Sequence, residues 1–325
     1  MTKTVSVANV KSKKKKKIGL LQDIINNKFS YLIALPALVY VFIFSYIAYP
    51  YMVIAFQRFN FRNNTIWAIY TRGDWVGFAN FRFFFASQHA AIVTFNTIYL
   101  NFLFIITGTV AAVLIAILLN ELISTIFVKV AQSIMILPSY ISWVVVSFML
   151  MGIFSTQFGI LNRILEFFNQ PAVNWYITPE VWPTILVIMR IWRGAGMSAI
   201  IFLAAIAGMD SGVFESASID GANRLQKILY IRLPLLMPTI VIMTLLSMGR
   251  IMFGDFGMIY AIVGDNGMLF STTDIIDTFI FRALRQVGDP SQAMAIGLFQ
   301  SAIGFLLVFG SNWLARKFYP DGALY

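Results

Sequence analysis

Six stretches of the chain are apolar over a helix-spanning length, at roughly 31–56, 90–119, 131–154, 183–207, 234–253 and 292–315. At 1.5 Å per residue, about 20 helical residues cross ~30 Å of hydrocarbon. Backbone polar groups in lipid find no water, so each such stretch is expected to be helical. The pattern predicts an all-α integral membrane protein with six transmembrane helices. Two shorter apolar stretches, 258–263 and 276–281, cannot span and are expected in a loop or in short helices at the interface. One polar interruption does not fit a simple connector. It runs from Glu215 to Pro238, "ESASIDGANRLQKILYIRLPLLMP", with apolar runs on both sides.

Composition agrees with a membrane protein. Of 325 residues, 59% are hydrophobic and 12% charged, against about 25% charged in soluble domains. The net charge of +10 is uneven. Lys3, Lys11, Lys13 to Lys17 and Lys28 all precede residue 30. Such a run beside a long apolar segment reads as an anchor on anionic lipid rather than as a nucleic-acid site. Inner segments 1–30, 120–130, 208–233 and 316–325 then hold every lysine, together with Arg224, Arg232 and Arg316. Outer loops hold Arg58, Arg62, Arg72, Arg82, Arg163, Arg282 and Arg285. The bias of the first helix predicts both termini on the cytoplasmic side. The apolar run 31–56 is too long for the core of a signal peptide.

Several functions lose their chemistry here. There is no cysteine and a single histidine, His89, so no disulfide, thiolate nucleophile or metal cluster is expected. No phosphate-cradling Gly-rich loop and no hydrolase or metalloprotease signature occurs, and no catalytic residue is assigned. Intramembrane carboxylates are nearly missing, Asp255 standing at the edge of a span, which disfavours a proton- or sodium-driven carrier. An integral-membrane enzyme would want clustered His, Asp or Glu near one interface.

The polar insert lies between the fourth and fifth spans. Glu215 to Ile219 is expected to form one helical turn with the acid near its start, where the helix dipole favours it. Asp220-Gly221 is a turn or cap signal, because Gly tolerates left-handed angles. Ala222 to Ile231 is expected as a second helix carrying Arg224 and Lys227. Pro234 suits the first turn of the next spanning helix, and Pro238 is placed to kink it. At some 26 residues, 208–233 is longer than the usual connection between bundle helices.

These residues resemble the permease subunits of binding-protein-dependent ABC importers of the type I fold. Their pattern E-A-A-x3-G-x9-I-x-L-P is matched by Glu215, Ser216, Ala217, Gly221, Ile231, Leu233 and Pro234, with Ser216 in place of the middle Ala. Asp220 and Ala222 complete the "DGA" form that sugar permeases favour. "WVGFANFRFFF" (75–85), "FNTIYLN" (95–101), "LPSYISWVVV" (137–146), "IWRGAG" (191–196) and the polysaccharide-type end "NWLARKFYPDGALY" extend the resemblance over nearly the whole chain. It implies a coupling helix in the insert that docks on a separate ATPase, with Glu215, Ala217 and Gly221 central and Arg224 nearby. It implies a second permease subunit in a heterodimer, two ATPase subunits, an extracytoplasmic solute-binding protein and an oligosaccharide substrate. ATP and Mg would sit on the partner ATPase, this chain holding no cofactor, and the complex would lie in the bacterial cytoplasmic membrane. Import of amino acids or peptides is the runner-up.

The implied organisation is a basic tail (1–30), a first helix with its outer loop (31–89), a permease core (90–315) containing the coupling loop 208–233, and a short tail (316–325). Arg190 and Arg193 lie i,i+3 inside the fourth span. Intramembrane charge is costly and faces a cavity or a partner. Two readings follow: a wet path binding sugar hydroxyls or carboxylates, or structural pairing with Asp255 or with backbone carbonyls. Trp143, Asp255, Phe256 and Tyr260 are further candidates for that path, and Trp175 and Trp182 are weaker ones. The two arginines make an acidic, uronate-bearing sugar a specific expectation.

Overall fold

The computed structural model describes residues 20–60 and 65–318. The lysine run, Arg62 and residues 319–325 lie outside them. The chain divides into two units, residues 1–52 and 53–325.

In the first unit, α1 (Leu20–Asn26) is followed by α2 (Lys28–Val41). Asp23 joins them by accepting from Asn27 Nδ2 (2.9 Å) and the Tyr31 hydroxyl (2.8 Å). The helix continues as a wider π turn, Phe42–Tyr46, and a 3-10 stretch, Tyr49–Phe56, follows. Lys28–Phe56 is long and apolar enough to cross a membrane, and no residue of α2 is buried. Helical structure thus begins before the expected start at residue 31.

The second unit takes up the end of that 3-10 stretch from Val53 and continues with β1 (Gln57–Arg58), α3 (Ile66–Arg72), β2 (Asp74–Trp75) and α4 (Ala79–Phe85). The strands pair antiparallel, Gln57 opposite Trp75 and Arg58 opposite Asp74. The Asn80 amide fastens this turn by donating to the carbonyls of Ala55 (2.9 Å) and Gln57 (2.8 Å).

The long helix α5 (His89–Asn120) follows and packs along α9 (Trp182–Ala207). Ala112, Ala116, Ala195 and Ala199 are all buried, and their small side chains let helix backbones approach closely. Phe202, Ile206 and Leu236 form one cluster with Ala112, Ala116 and Ala199. A second cluster joins Leu100 and Phe104 of α5 to Trp143, Trp182 and Met258.

The third expected span, 131–154, is not one straight helix. It consists of α6 (Thr125–Ile136), a 3-10 turn (Leu137–Tyr140) and α7 (Trp143–Phe154), bent by 95° at the break. The sequence "LPSYIS" explains the corner. Pro138 has no N–H to continue the ladder, Ile141 is extended (φ −75°, ψ 130°), and Ser142 caps α7 by accepting from Val145 N (3.3 Å).

Beyond α7 come α8 (Ile160–Phe167), then α9, α10 (Ser211–Ile219) and α11 (Arg224–Lys227). A π turn (Ile228–Arg232) carries α11 straight into α12 (Leu233–Met248). The fifth span therefore runs Arg224–Met248 rather than 234–253. Pro234 sits inside a continuous helix, just after the π turn, and not at the start of a new one. The short apolar stretches become α13 (Phe256–Ile262) and part of α15 (Ile276–Val287), with α14 (Phe270–Thr273) between them. The last helix, α16 (Pro290–Phe318), exceeds the expected 292–315 at both ends.

Candidate functional sites: an arginine-lined cavity and a polar insert

A cavity of about 660 Å³ opens between α5, α9 and the corner that follows α12. Its size falls in the range of small-ligand sites. Asn101, Thr109, Ser139, Ser198 and Ser247 supply polar groups, and Arg190, Arg193, Arg250, Asp255 and Phe256 supply charge and an aromatic face. The spacing of Arg190 and Arg193 on α9 puts both side chains toward this space.

The two arginines do different things. Arg190 pairs with Asp255 through Nη1, near the ring of Phe104. Arg193 donates from Nε to the Ile141 carbonyl (2.8 Å) and lies 4.4 Å over the Trp143 ring. That carbonyl is free because the chain breaks at Ile141, so the bend between α6 and α7 provides the acceptor. Both structural pairings foreseen for the arginines thus occur, and both residues still line the cavity. Arg250 is exposed, and neither it nor Arg193 has a carboxylate partner among the described residues. Three guanidiniums against one carboxylate leave the cavity with excess positive charge.

The corner presenting Arg250 and Asp255 is held on every side. Asn101 Nδ2 donates to the Ile251 carbonyl (2.8 Å) and Gln300 Nε2 to that of Met252. Gly254 N donates to Asp277 Oδ2 (2.8 Å), which Gln300 also reaches (3.1 Å). Burial pushes the Asp277 carboxyl above its ordinary pKa, against the opposing pull of these donors. Asp255 does two jobs: one oxygen meets Arg190 and the other caps α13 by accepting from Met258 N (3.0 Å).

Of the expected path residues, Arg190, Arg193, Asp255 and Phe256 meet at this cavity. Trp143 does not line it but is buried beneath Arg193. Tyr260 stacks behind Phe256 at 5.2 Å, its hydroxyl accepting from Arg285 Nη1 (3.0 Å). Trp182 is fully buried and Trp175 donates from Nε1 to Asn162 (3.1 Å), so neither tryptophan belongs to the site. Sequence reasoning missed Arg250, Asn101 and the serines. For Arg250 a signal existed: a lone arginine ending an apolar run, five residues before Asp255.

The polar insert closes on itself by local bonds. Asp210 caps α10, its side chain accepting from Gly212 N (2.9 Å). The expected acid at the helix start is therefore Asp210, and Glu215 projects exposed from the middle of α10. Gly221 has φ +81°. Its N–H donates to the Ser218 carbonyl (3.2 Å), and Ala222 N donates to that of Ala217 (2.9 Å). This pair of bonds satisfies the end of α10 and requires the left-handed residue between them. Ser216 Oγ folds back onto the Gly212 carbonyl (2.8 Å). Asn223 then starts α11 in a capping box with Gln226. Lys227 Nζ donates to Ser218 Oγ (2.6 Å), tying the two helices across the turn. Ile219 at the tip is 88% exposed, and Leu225 and Tyr230 are exposed beside it. Asp220, Gly221, Ala222 and Ile231 border a hollow of about 300 Å³ there, while Arg224 lines another with Glu215.

A family model described as "Binding-protein-dependent transport system inner membrane component" matches residues 108–320. The polygalacturonan/rhamnogalacturonan transport system permease protein YteP of Bacillus subtilis (strain 168) is 31% identical over 310 residues, covering 95% of this chain and 94% of its own. A chain from a bacterial ABC transporter involved in import of the acidic polysaccharide alginate superposes with a TM-score of 0.82 at 29% identity, covering 92% of this chain and 99% of that one. A second alginate transporter structure, in complex with alginate pentasaccharide-bound periplasmic protein, gives 0.80 at 28% identity, covering 92% and 97%. The many-helix architecture accords with these relatives, and the chain belongs to the family of binding-protein-dependent transport system inner membrane components.

Proposed function

We propose that this chain is the transmembrane subunit of an ABC importer that moves an acidic oligosaccharide inward across the bacterial cytoplasmic membrane. One observation carries the substrate class: the cavity holds two guanidiniums, Arg193 and Arg250, with no carboxylate partner among the described residues, beside an Arg190–Asp255 pair. Carboxylates of a uronate are matched by such forks, and sugar hydroxyls by Asn101, Thr109 and the serines. The relatives named for polygalacturonan/rhamnogalacturonan and for alginate, both acidic polymers, support the same reading.

The energy source lies on other chains in this reading. The insert, with Glu215, Ser216, Ala217, Asp220, Gly221, Ala222, Arg224, Ile231, Leu233 and Pro234, is the coupling element. Its exposed apolar tip docks on an ATPase that holds ATP and Mg. Two such ATPases, a second permease subunit and a solute-binding protein complete the complex, and both termini are cytoplasmic. The core is 90–315, preceded by the first helix and its loop.

The test is uptake by proteoliposomes of the complete complex. A uronate oligosaccharide should enter with ATP consumption, and a neutral sugar of the same length should enter poorly. Equal uptake of both, or loss of charge selectivity only when residues outside the cavity are changed, would sink the acidic-sugar reading.

A further inference from the structure

Among the described residues, one ion pair joins the insert to the rest of the second unit. Arg232, the last residue of the π turn, is 9% exposed. Its Nη1 meets Oε1 of Glu121, the residue that caps the end of α5, and its guanidinium lies 5.4 Å from the Phe214 ring of α10. Three elements therefore meet there: the end of α5, the first helix of the insert and the start of α12. A buried guanidinium with a single carboxylate is costly to unpair.

The same two helices reach the cavity at their other ends. Asn101 to Thr109 of α5 and Ser247 of α12 line it. From Glu121 back to Asn101, and from Arg232 on to Ser247, the helices climb about 30 and 22 Å at 1.5 Å per residue. Within the insert, the Lys227–Ser218 bond and the Gly221 turn already make α10 and α11 one body. We propose that Glu121 and Arg232 are positioning residues that pin this body to α5 and α12, so that the insert and the cavity wall move together. The proposal rests on the coupling role given above to the insert. It adds the joint through which a movement of the insert arrives at the cavity.

The chain has no cysteine, so paired spin labels can be introduced directly. Labels at Val213→Cys on α10 and Ile106→Cys on α5, both exposed, are measured by pulsed dipolar spectroscopy in the complete complex, with and without trapped ATP. One narrow distance, unchanged to within ~2 Å between nucleotide states, is expected. Glu121→Gln or Arg232→Gln should broaden it and make it nucleotide-dependent, and should raise the ATP hydrolysed per uronate oligosaccharide transported about tenfold. The exchange Glu121→Arg with Arg232→Glu should bring back the narrow distance and the ratio to within roughly threefold. A distance that changes with ATP in the unaltered chain overturns the proposal. So does one that stays narrow in both single variants, and so do single variants that lose assembly without rescue by the exchange. Failure of the coupling reading looks different: no ATPase then joins the chain, while the pin still shows in the nucleotide-free labels.

Discussion

The insert and the cavity are both polar regions in an apolar chain, but they are built in opposite ways. Almost every bond that shapes the insert is local: Asp210 to Gly212, Ala222 to Ala217, Asn223 to Gln226, Lys227 to Ser218. The cavity is assembled from distant segments. Arg190 meets Asp255, Arg193 meets Ile141, and Asn101 meets Ile251. A locally built element keeps its shape while it moves as a body. A site built across helices changes shape when the helices shift, which is what a path that opens alternately to two sides requires.

The largest expected effect breaks the insert alone. Gly221→Pro cannot adopt φ +81° and removes the N–H that reaches Ser218. Transport should fall about 100-fold, ~2.7 kcal/mol in coupling, with insertion and sugar binding at the cavity intact. A matching loss of binding would show that the two regions are not separable. The second variant breaks the cavity alone. Arg250→Gln removes one charged donor worth roughly 1.5–3 kcal/mol, so KM for a uronate oligosaccharide should rise at least about tenfold. ATP hydrolysis by the complex without substrate should stay as it was. A third change attacks the support of the cavity. A Cβ at Gly196 would stand 2.1 Å from the Met135 carbonyl oxygen, so Gly196→Ala must push α6 away from α9. A loss of ~1–3 kcal/mol in thermal stability is expected, with KM disturbed more than coupling.

The smallest effect is a pH dependence. The folded-state pKa of Asp277 is raised by burial above 3.8, so the folded chain binds that proton more tightly than the unfolded one. Its contribution to stability is complete below 3.8 and is lost as pH rises through the raised value. Asp277→Asn keeps an acceptor for Gly254 and Gln300, and should flatten the rise in stability on acidification, as read from melting curves of the two proteins. Identical pH slopes would show that Asp277 is solvated after all.

The same contrast explains what could be read in the sequence. Six apolar runs were visible because each is long enough to span by itself, and the insert because its signals fall within some 20 residues. The break at Ile141 was hidden because 131–154 is apolar throughout, and "PSYIS" is a weak interruption by composition. The fusion of α11 with α12 was hidden because Pro234 mimics a helix start. Arg190 and Arg193 stood out as charges in an oily helix. Which partner each would take depends on a corner near residue 255 and a bend near 141, and neither position is marked on α9. Asn101 and Ser247 carry no local sign that they face a cavity.

The bend between α6 and α7 has a consequence for how the chain enters the bilayer. Thr125–Tyr140 and Trp143–Phe154 rise about 24 and 18 Å if fully helical, so neither half alone covers ~30 Å of hydrocarbon. A helix that must partition on its own merits would leave polar backbone in lipid at the corner. This segment can rest in its bent form only after α9 has arrived, bringing Arg193 to cap the stranded Ile141 carbonyl. The bend thus predicts that the third span settles into its final form after the fourth, with an arginine of the cavity completing it.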